Sequence, residues 1–228
     1  MYNSIIYALI LPQAFISLQA DPSPTKGAGL SCRATRPASP TPEKTVGNQH
    51  MTITTICYSY SGVTRGIAEK IQAECGGELV EVKAVTPYTK FTAYAKGCYR
   101  AMTGEADAVK PSSIDVSASD LIVIGTPVWA FRAAPPTNGA VQALTGCEGK
   151  TAVIFATCGV EAKDTLRHLA VALAVKGVRV KREFVLDRID VTQKDKIYAL
   201  IAAVKSAAAP APTSAAESEE PSVTPPAM

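Results

Sequence analysis

The sequence has few of the residues that most often carry catalysis and metal binding. Of its 228 residues, one is tryptophan and two are histidines, and its six cysteines form no C-x-x-C pair. Because no histidine or cysteine set has zinc-like spacing, we predict no metal site. Scattered cysteines in a chain of this size favour reduced thiols, packed as small apolar side chains in the cytoplasm.

Strong net charge and long apolar runs are missing as well. A net charge of +3 does not by itself indicate nucleic acid binding, so we predict no nucleic acid partner. The stretch IIYALILPQAFISLQA is interrupted by Pro12 and polar residues and is too short to span a bilayer comfortably. We therefore predict no stable membrane insertion.

The two ends of the chain differ in composition from its middle. Residues 1–50 could be a secretion signal, a membrane anchor or an upstream extension that is not present in the working protein, and no Lys or Arg precedes their apolar stretch as a signal peptide would require. We favour the extension, because Met51 directly precedes the first predicted strand. Residues 21–50 and the Ala/Pro/Ser/Glu-rich tail 207–228 are predicted to be disordered. The predicted folded unit is residues 51–206.

Within that unit, apolar runs alternate with helical patterns. The predicted strands are 52–57, 78–83, 121–125, 151–156 and 178–185, and the predicted helices are 63–74, 90–102, 137–144, 163–175 and 192–206. The runs LIVIG and TAVIFA are apolar throughout, as in strands covered on both faces. This alternation predicts an α/β fold: a three-layer, doubly wound, five-stranded parallel sheet with strand order 2-1-3-4-5. Ligands of such sheets bind beyond the carboxyl ends of the strands, which directs attention to residues 58–63, 126–136 and 157–163.

The first of these loops is rich in hydroxyl groups. Ser59, Ser61 and Thr64 surround Gly62 where the first strand turns into a helix. A helix N-terminus attracts an anion, hydroxyls can donate to it, and glycine allows a tight backbone turn. The chain has neither G-x-x-x-x-G-K-[ST] nor G-x-G-x-x-G, so triphosphate and dinucleotide sites are not indicated. We predict a cradle for one phosphate monoester; the alternative is that these residues are N-caps.

The motif S-x-S-G-x-T resembles the phosphate loop of the flavodoxin family, and LIVIGTPVWAFRAAPP resembles the family's segment after the third strand. The resemblance covers most of residues 52–206 and implies a flavodoxin-like fold that binds flavin mononucleotide (FMN). It assigns cofactor binding to Ser59, Tyr60, Ser61, Gly62, Val63, Thr64, Thr126, Pro127, Val128, Trp129, Ala130, Thr157, Cys158 and Gly159.

These residues have different expected roles. Trp129 is predicted to follow a strand and to stack on the flavin ring, the alternative being a core residue. Thr126 and the backbone of residues 128–130 are expected at the ring's polar edge, and backbone N–H groups of residues 158–160 at its pyrimidine edge. Cys158 is either redox-active or, as we favour, a packed thiol. No residue is nominated as a catalytic acid or base.

Two functions remain open. The protein either carries electrons between redox partner proteins or is an FMN-dependent NAD(P)H oxidoreductase of the quinone or flavin reductase type. Residues 51–206 hold 19 Lys and Arg against 15 Asp and Glu, which fits an acidic partner or an anionic nucleotide drawn by Arg65 and Arg132. No second domain is apparent for a nicotinamide, so the carrier is favoured. An aromatic helix face at Tyr88, Phe91 and Tyr94 is predicted to be core or a subunit contact, so an oligomer is possible.

Overall fold

A computed structural model describes residues 51–209 of the chain. Its strands are β1 Ile53–Tyr58, β2 Glu78–Ala84, β3 Val109–Lys110, β4 Ile114–Asp115, β5 Leu121–Trp129, β6 Arg132–Ala133, β7 Leu144–Thr145, β8 Thr151–Thr157 and β9 Arg179–Leu186. Its helices are α1 Val63–Cys75, α2 Lys90–Thr92, α3 Cys98–Met102, α4 Pro135–Ala143, α5 Thr165–Val175, α6 Arg188–Gln193 and α7 Asp195–Ala208. A π-helical turn, Ala93–Gly97, joins α2 to α3.

The five long strands form one parallel sheet in the order β2-β1-β5-β8-β9. Numbered among themselves, these strands have the order 2-1-3-4-5, and the predicted fold class is confirmed. The count of five strands is incomplete, because β3 and β6 pair antiparallel with β2 and β5 and bring the sheet to seven strands. A two-residue strand carries no readable hydrophobic period, so sequence patterns do not reveal it.

Helices cover both faces of the sheet. Leu121 and Val123 of β5 pack on one face with side chains of α1 and α7. Ile122 and Ile124 point to the other face and pack with side chains of α4 and α5. All four are at most 1% exposed, which explains why β5 is apolar at successive positions rather than at every second one.

Most element boundaries lie within two residues of their predicted positions, but β5 and the C-terminal helix differ more. β5 continues beyond its predicted end at residue 125 as far as Trp129. It is longer because β6 folds back and pairs with its last two residues, Val128 and Trp129. The predicted helix 192–206 is instead two helices, α6 and α7, with a break at Lys194, whose φ is 68°. Because α7 continues to Ala208, the first residues of the predicted tail belong to the fold.

The remaining predictions for the chain ends lie outside the described residues. They are the three alternatives for residues 1–50 and the low-complexity tail beyond residue 209. Within residues 51–209, no helix is long and apolar enough to cross a membrane.

Candidate functional site

The loop from Ser59 to Gly62 carries the hydroxyl cluster to the carboxyl edge of the sheet. Gly62 is the N-cap residue of α1 and has a φ of 88°, a left-handed conformation that favours glycine. No side chain caps α1 in the described structure, so Ser59, Ser61 and Thr64 are not ordinary N-caps. The first N–H groups of α1 have no intrahelical partners and are available to an anion.

Ser59 carries the strongest sign of a ligand in this loop. Its Oγ is buried and has no hydrogen-bond partner among the described residues, where the hydroxyl of Thr55 in β1 is the other such case. A buried unpaired polar group costs about 1–3 kcal/mol. A ligand that accepts a hydrogen bond from Ser59 would remove that cost. Tyr60 and Ser61 are exposed beside it.

Thr64 and Thr157 join the first and third loops. Their hydroxyl oxygens are 2.8 Å apart and share a buried hydrogen bond. Thr157 is the last residue of β8 and Thr64 lies in the first turn of α1. The structure thus brings together two residues that the resemblance assigns to the cofactor. Their shared hydrogen bond holds the two loops together.

The second loop is in fact a strand end and a tight hairpin. Thr126 to Trp129 belong to β5, and the two-residue turn Ala130-Phe131 leads into β6. Both turn residues have positive φ, 48° and 63°. Type I′ hairpins require this conformation, which costs a non-glycine residue about 1–2 kcal/mol. The prediction that Trp129 follows a strand is wrong, because pairing with β6 extends β5 to include it.

Trp129 lies in an aromatic cluster and is 8% exposed. The ring centroids of Tyr58, Tyr60 and Tyr88 lie 6.0, 5.6 and 5.0 Å from the centroid of its ring, each in an edge-on arrangement. Gly97 approaches so closely that a Cβ there would lie 2.5 Å from an indole carbon. The indole is therefore largely enclosed, and only a small part of it can meet a ligand.

Tyr88 is held against Trp129 by a network that no sequence pattern indicates. The Tyr88 hydroxyl donates to Asp107 Oδ2 at 2.6 Å, and Arg100 donates to the other oxygen of that carboxylate. Burial and the hydrogen bond to Asp107 raise the pKa of Tyr88 to about 12. The phenol therefore stays protonated at neutral pH and keeps donating to Asp107. No short-range spacing connects these three positions, so only the fold reveals them.

The Thr126 hydroxyl forms hydrogen bonds within the protein, to residues that follow the hairpin. It lies 2.9 Å from the Thr137 hydroxyl and accepts from the Ala134 N–H at 3.3 Å. Thr126 is fully buried and its hydroxyl is hydrogen-bonded within the protein, and its place at a ring's polar edge stays a prediction. Of its neighbours, Val128 is buried, whereas Pro127 and Ala130 are partly exposed.

The third loop offers fewer backbone donors than predicted. The Cys158 N–H donates to the Leu186 carbonyl at 3.0 Å, so it is not available to a ligand. Gly159 is partly exposed and Val160 is exposed, and these two retain their predicted role. The Cys158 N–H forms this hydrogen bond because β8 and β9 are still adjacent here, with Thr157 and Leu186 in register.

Phe131 supplies an aromatic side chain beside the third loop, which has none of its own. The Lys163 Nζ lies 4.0 Å from the centroid of the Phe131 ring, within the range of a cation–π interaction. Lys163 also has a positive φ, 40°. The contact ties the hairpin tip to the third loop, so all three predicted loops are joined at this edge of the sheet.

Cys158 should behave as an inert thiol. It is 7% exposed, and burial, reinforced by Asp187 and Asp190, raises its pKa to about 11. The thiolate is the reactive form, so at pH 8 we expect alkylation by iodoacetamide to be at least roughly 100-fold slower than in the urea-unfolded chain. Peptide mass spectrometry after timed alkylation measures this ratio. Equal rates in the folded and unfolded protein would instead indicate a reactive cysteine.

Comparison with known proteins agrees with the fold. The family model described as flavodoxin matches residues 52–178, which is more than half of the chain. No curated protein sequence matches the chain significantly.

Three solved structures share the fold. A protein from Bacteroides uniformis assigned as a flavoprotein is 21% identical, with a TM-score of 0.54 over 64% of this chain and 98% of its own. One from Bacteroides eggerthii with the same assignment is 24% identical, with a TM-score of 0.52 over 67% and 97%. A flavoprotein from Lactobacillus acidophilus, solved in complex with FMN, is 24% identical, with a TM-score of 0.50 over 63% and 97%. The resemblance seen in the sequence is thereby confirmed, and the chain belongs to the flavodoxin family.

Proposed function

We propose that this protein binds FMN and carries electrons between redox partners. The observation that carries the proposal is the buried, unpartnered Ser59 hydroxyl beside the uncapped N-terminus of α1. Such a site fits a phosphate monoester, which accepts several hydrogen bonds and carries negative charge. FMN, the cofactor named for the Lactobacillus acidophilus structure, has one such group. When bound, it supplies one- and two-electron transfer.

The first loop would hold the phosphate. Ser59 and Ser61 donate hydroxyl hydrogen bonds, and the N–H groups at the start of α1 donate from the backbone. A Cβ built on Gly62 would meet nothing within 4 Å, so this side of the loop has open space for an anion. Thr64 acts indirectly, because its hydrogen bond to Thr157 fixes the first turn of α1.

The ring would lie over the hairpin and the third loop. Tyr60 is 38% exposed and edge-on to Trp129, so it offers an accessible aromatic face next to the phosphate loop. Ala130 and Gly159 are partly exposed and present backbone groups at the same edge. These side chains and backbone groups position the ring and limit the access of water to it.

An NAD(P)H oxidoreductase is the second candidate, and the environment of Arg132 favours it. This residue lies in β6 beside the hairpin, is partly exposed, and has no ion-pair partner among the described residues. Arg65, by contrast, contacts Glu69 and Glu81 at 3.3 and 3.8 Å. Stopped-flow mixing of the FMN-loaded protein with NADH and NADPH separates the two functions. The carrier should react slowly with both, and rapid reduction by either would show the oxidoreductase.

The compartment we propose is the cytoplasm. All five cysteines among the described residues are free thiols, and four of them are buried. Thiols of this kind are typical of proteins in a reducing compartment.

Replacing Ser59 with alanine should weaken FMN binding without destabilising the protein. A hydrogen bond to a charged group contributes about 1.5–3 kcal/mol, so we expect Kd to rise at least about tenfold. Because the hydroxyl has no hydrogen-bond partner within residues 51–209, the free energy of unfolding should stay the same or rise slightly. Fluorescence titration with FMN and urea unfolding of the FMN-free protein measure the two quantities.

Thr55→Val is the matched control for Ser59→Ala. The Thr55 hydroxyl is the other buried, unpartnered one among the described residues, but it lies within β1 and not in the loop. Removing it with a side chain of similar shape should raise the free energy of unfolding by about 1 kcal/mol and leave the FMN Kd unchanged. If both variants bind FMN like the unaltered protein, Ser59 does not contact the phosphate and the proposed site is wrong.

A further inference from the structure

We propose that the outer face of the segment between β2 and β3 docks an acidic redox protein. This inference rests on the proposed function as an electron carrier. The docking surface consists of an apolar stripe, Phe91, Ala95, Tyr99 and Met102, and the exposed lysines beside it.

The apolar stripe follows one face of the helical segment 90–102. Its four residues are all exposed, whereas Ala93, Gly97, Cys98 and Ala101 are buried, so the stripe lies along the outer side of the segment. Phe91 is 78% exposed, and Tyr99 and Met102 are each 64% exposed. Large apolar side chains grouped on one exposed face mark interaction sites more often than isolated ones do.

The opposite face of the same segment packs on the candidate flavin site. Ala93, Cys98 and Ala101 are buried in one cluster with Trp129, and Gly97 contacts the indole directly. The segment is thus one helical layer thick between the Trp129 cluster and solvent. A protein bound to the apolar stripe would lie next to the site from which electrons must leave.

Two lysines are exposed on the same segment as the apolar stripe, and two more lie at its base. Lys90 and Lys96 are exposed on the segment itself and form no ion pair among the described residues. At the base of the segment, Lys83 of β2 and Lys110 of β3 are directly opposite each other. Like charges in opposed positions destabilise a sheet, so the pair is not explained by stability. It adds instead to a field that attracts an acidic surface.

The acidic residues of the region cancel only part of this charge. Residues 83–110 contain four lysines and one arginine against two acids, Glu105 and Asp107. Arg100 binds both acids, and the exposed Glu105 also interacts with Lys96. Positive charge remains in excess, and an apolar centre with a charged rim is the composition of a transient protein interface.

A second copy of this chain is a poorer occupant of the docking surface, because that surface carries the same lysines on both copies. Two such faces brought together would place lysines against lysines, and like-charge contacts across an interface cost several kcal/mol. An acidic partner would meet the same lysines favourably.

Charge reversal of Lys90 and Lys96 tests the proposal. The probe is a plant-type [2Fe–2S] ferredoxin, a strongly acidic electron-transfer protein, and a basic cytochrome c serves for comparison. We expect the Lys90→Glu/Lys96→Glu variant to bind ferredoxin about tenfold more weakly at about 10 mM salt, where charges act over about 30 Å. The difference should vanish near 1 M salt, and binding of cytochrome c should not weaken. Calorimetric titration measures Kd without FMN, so failure of the docking surface is distinguishable from failure of FMN binding.

Arg179→Glu is the matched control. Arg179 is exposed at the start of β9, on the far edge of the sheet, so its reversal should weaken ferredoxin binding much less than the double reversal does. An equal loss with this variant, or no loss with the double variant, would overturn the proposal.

The apolar stripe is tested separately with Phe91→Ser/Met102→Ser. Both side chains are exposed, so the free energy of unfolding should change by no more than about 0.5 kcal/mol each. We expect ferredoxin binding to weaken about tenfold at every salt concentration, since apolar contacts are not screened. Sedimentation velocity of the unaltered chain should show a monomer. A dimer that these substitutions dissociate would identify a second copy as the occupant and contradict the proposal.

Discussion

Replacing Trp129 with alanine should lower the free energy of unfolding by about 3–5 kcal/mol, as removal of a large buried aromatic side chain typically does. Trp129 is 8% exposed, with three tyrosine rings edge-on to it and Gly97 close to its ring. Urea unfolding followed by far-ultraviolet circular dichroism measures the loss, because the variant has no tryptophan left to fluoresce.

Two further variants serve as controls for Trp129→Ala. Trp129→Phe keeps an aromatic ring and should lose less stability than the alanine variant. Tyr99→Ala removes an aromatic side chain that is 64% exposed, so its effect should stay within about 0.5 kcal/mol. A loss of less than about 1 kcal/mol for Trp129→Ala would show that the indole is not part of the core.

The same residue was predicted from the sequence to stack on a flavin, and Trp129→Phe also tests that prediction. If the exposed edge of the indole contacts the ring, the FMN affinity or the flavin potential should change in this folded variant. If neither changes, the effect of Trp129 on the site is confined to packing. The core role and the site role are thus measured separately.

The fold was predictable because its strands are apolar on both faces. Leu121–Ile124 is buried at every position, and such runs between helical patterns leave few arrangements other than a doubly wound parallel sheet. The hairpin was not predictable. Its turn residues, Ala130 and Phe131, have positive φ without being glycine or asparagine, so the usual turn signal is missing.

The candidate site was predictable only where it is local in sequence. The hydroxyls and glycine of residues 59–64 lie next to one another, so their common role could be inferred before the fold was known. Contacts between Thr64 and Thr157, or Tyr88 and Asp107, join residues 93 and 19 positions apart. No spacing rule connects such pairs. What the structure adds is therefore how the loops are held together, and how Trp129 is enclosed.

Replacing Gly62 with valine should abolish most FMN binding. Gly62 has a φ of 88°, where a β-branched residue is strained by about 1–3 kcal/mol. A side chain here would also enter open space beside the first loop, and this loop is where the phosphate is proposed to bind. Losing two hydrogen bonds to a charged group removes about 3 kcal/mol or more, so Kd should rise at least about 100-fold. Titration with FMN measures it.

Gly149→Val separates backbone strain from occupation of the site. Gly149 has a φ of 74°, and a Cβ there would also meet nothing within 4 Å, but it precedes β8 at the opposite edge of the sheet. Both valine variants should lose about 1–3 kcal/mol of stability, and Gly62→Val alone should lose FMN. If both lose FMN equally, general destabilisation explains the effect. If neither does, the phosphate binds elsewhere and the role of the first loop must be abandoned.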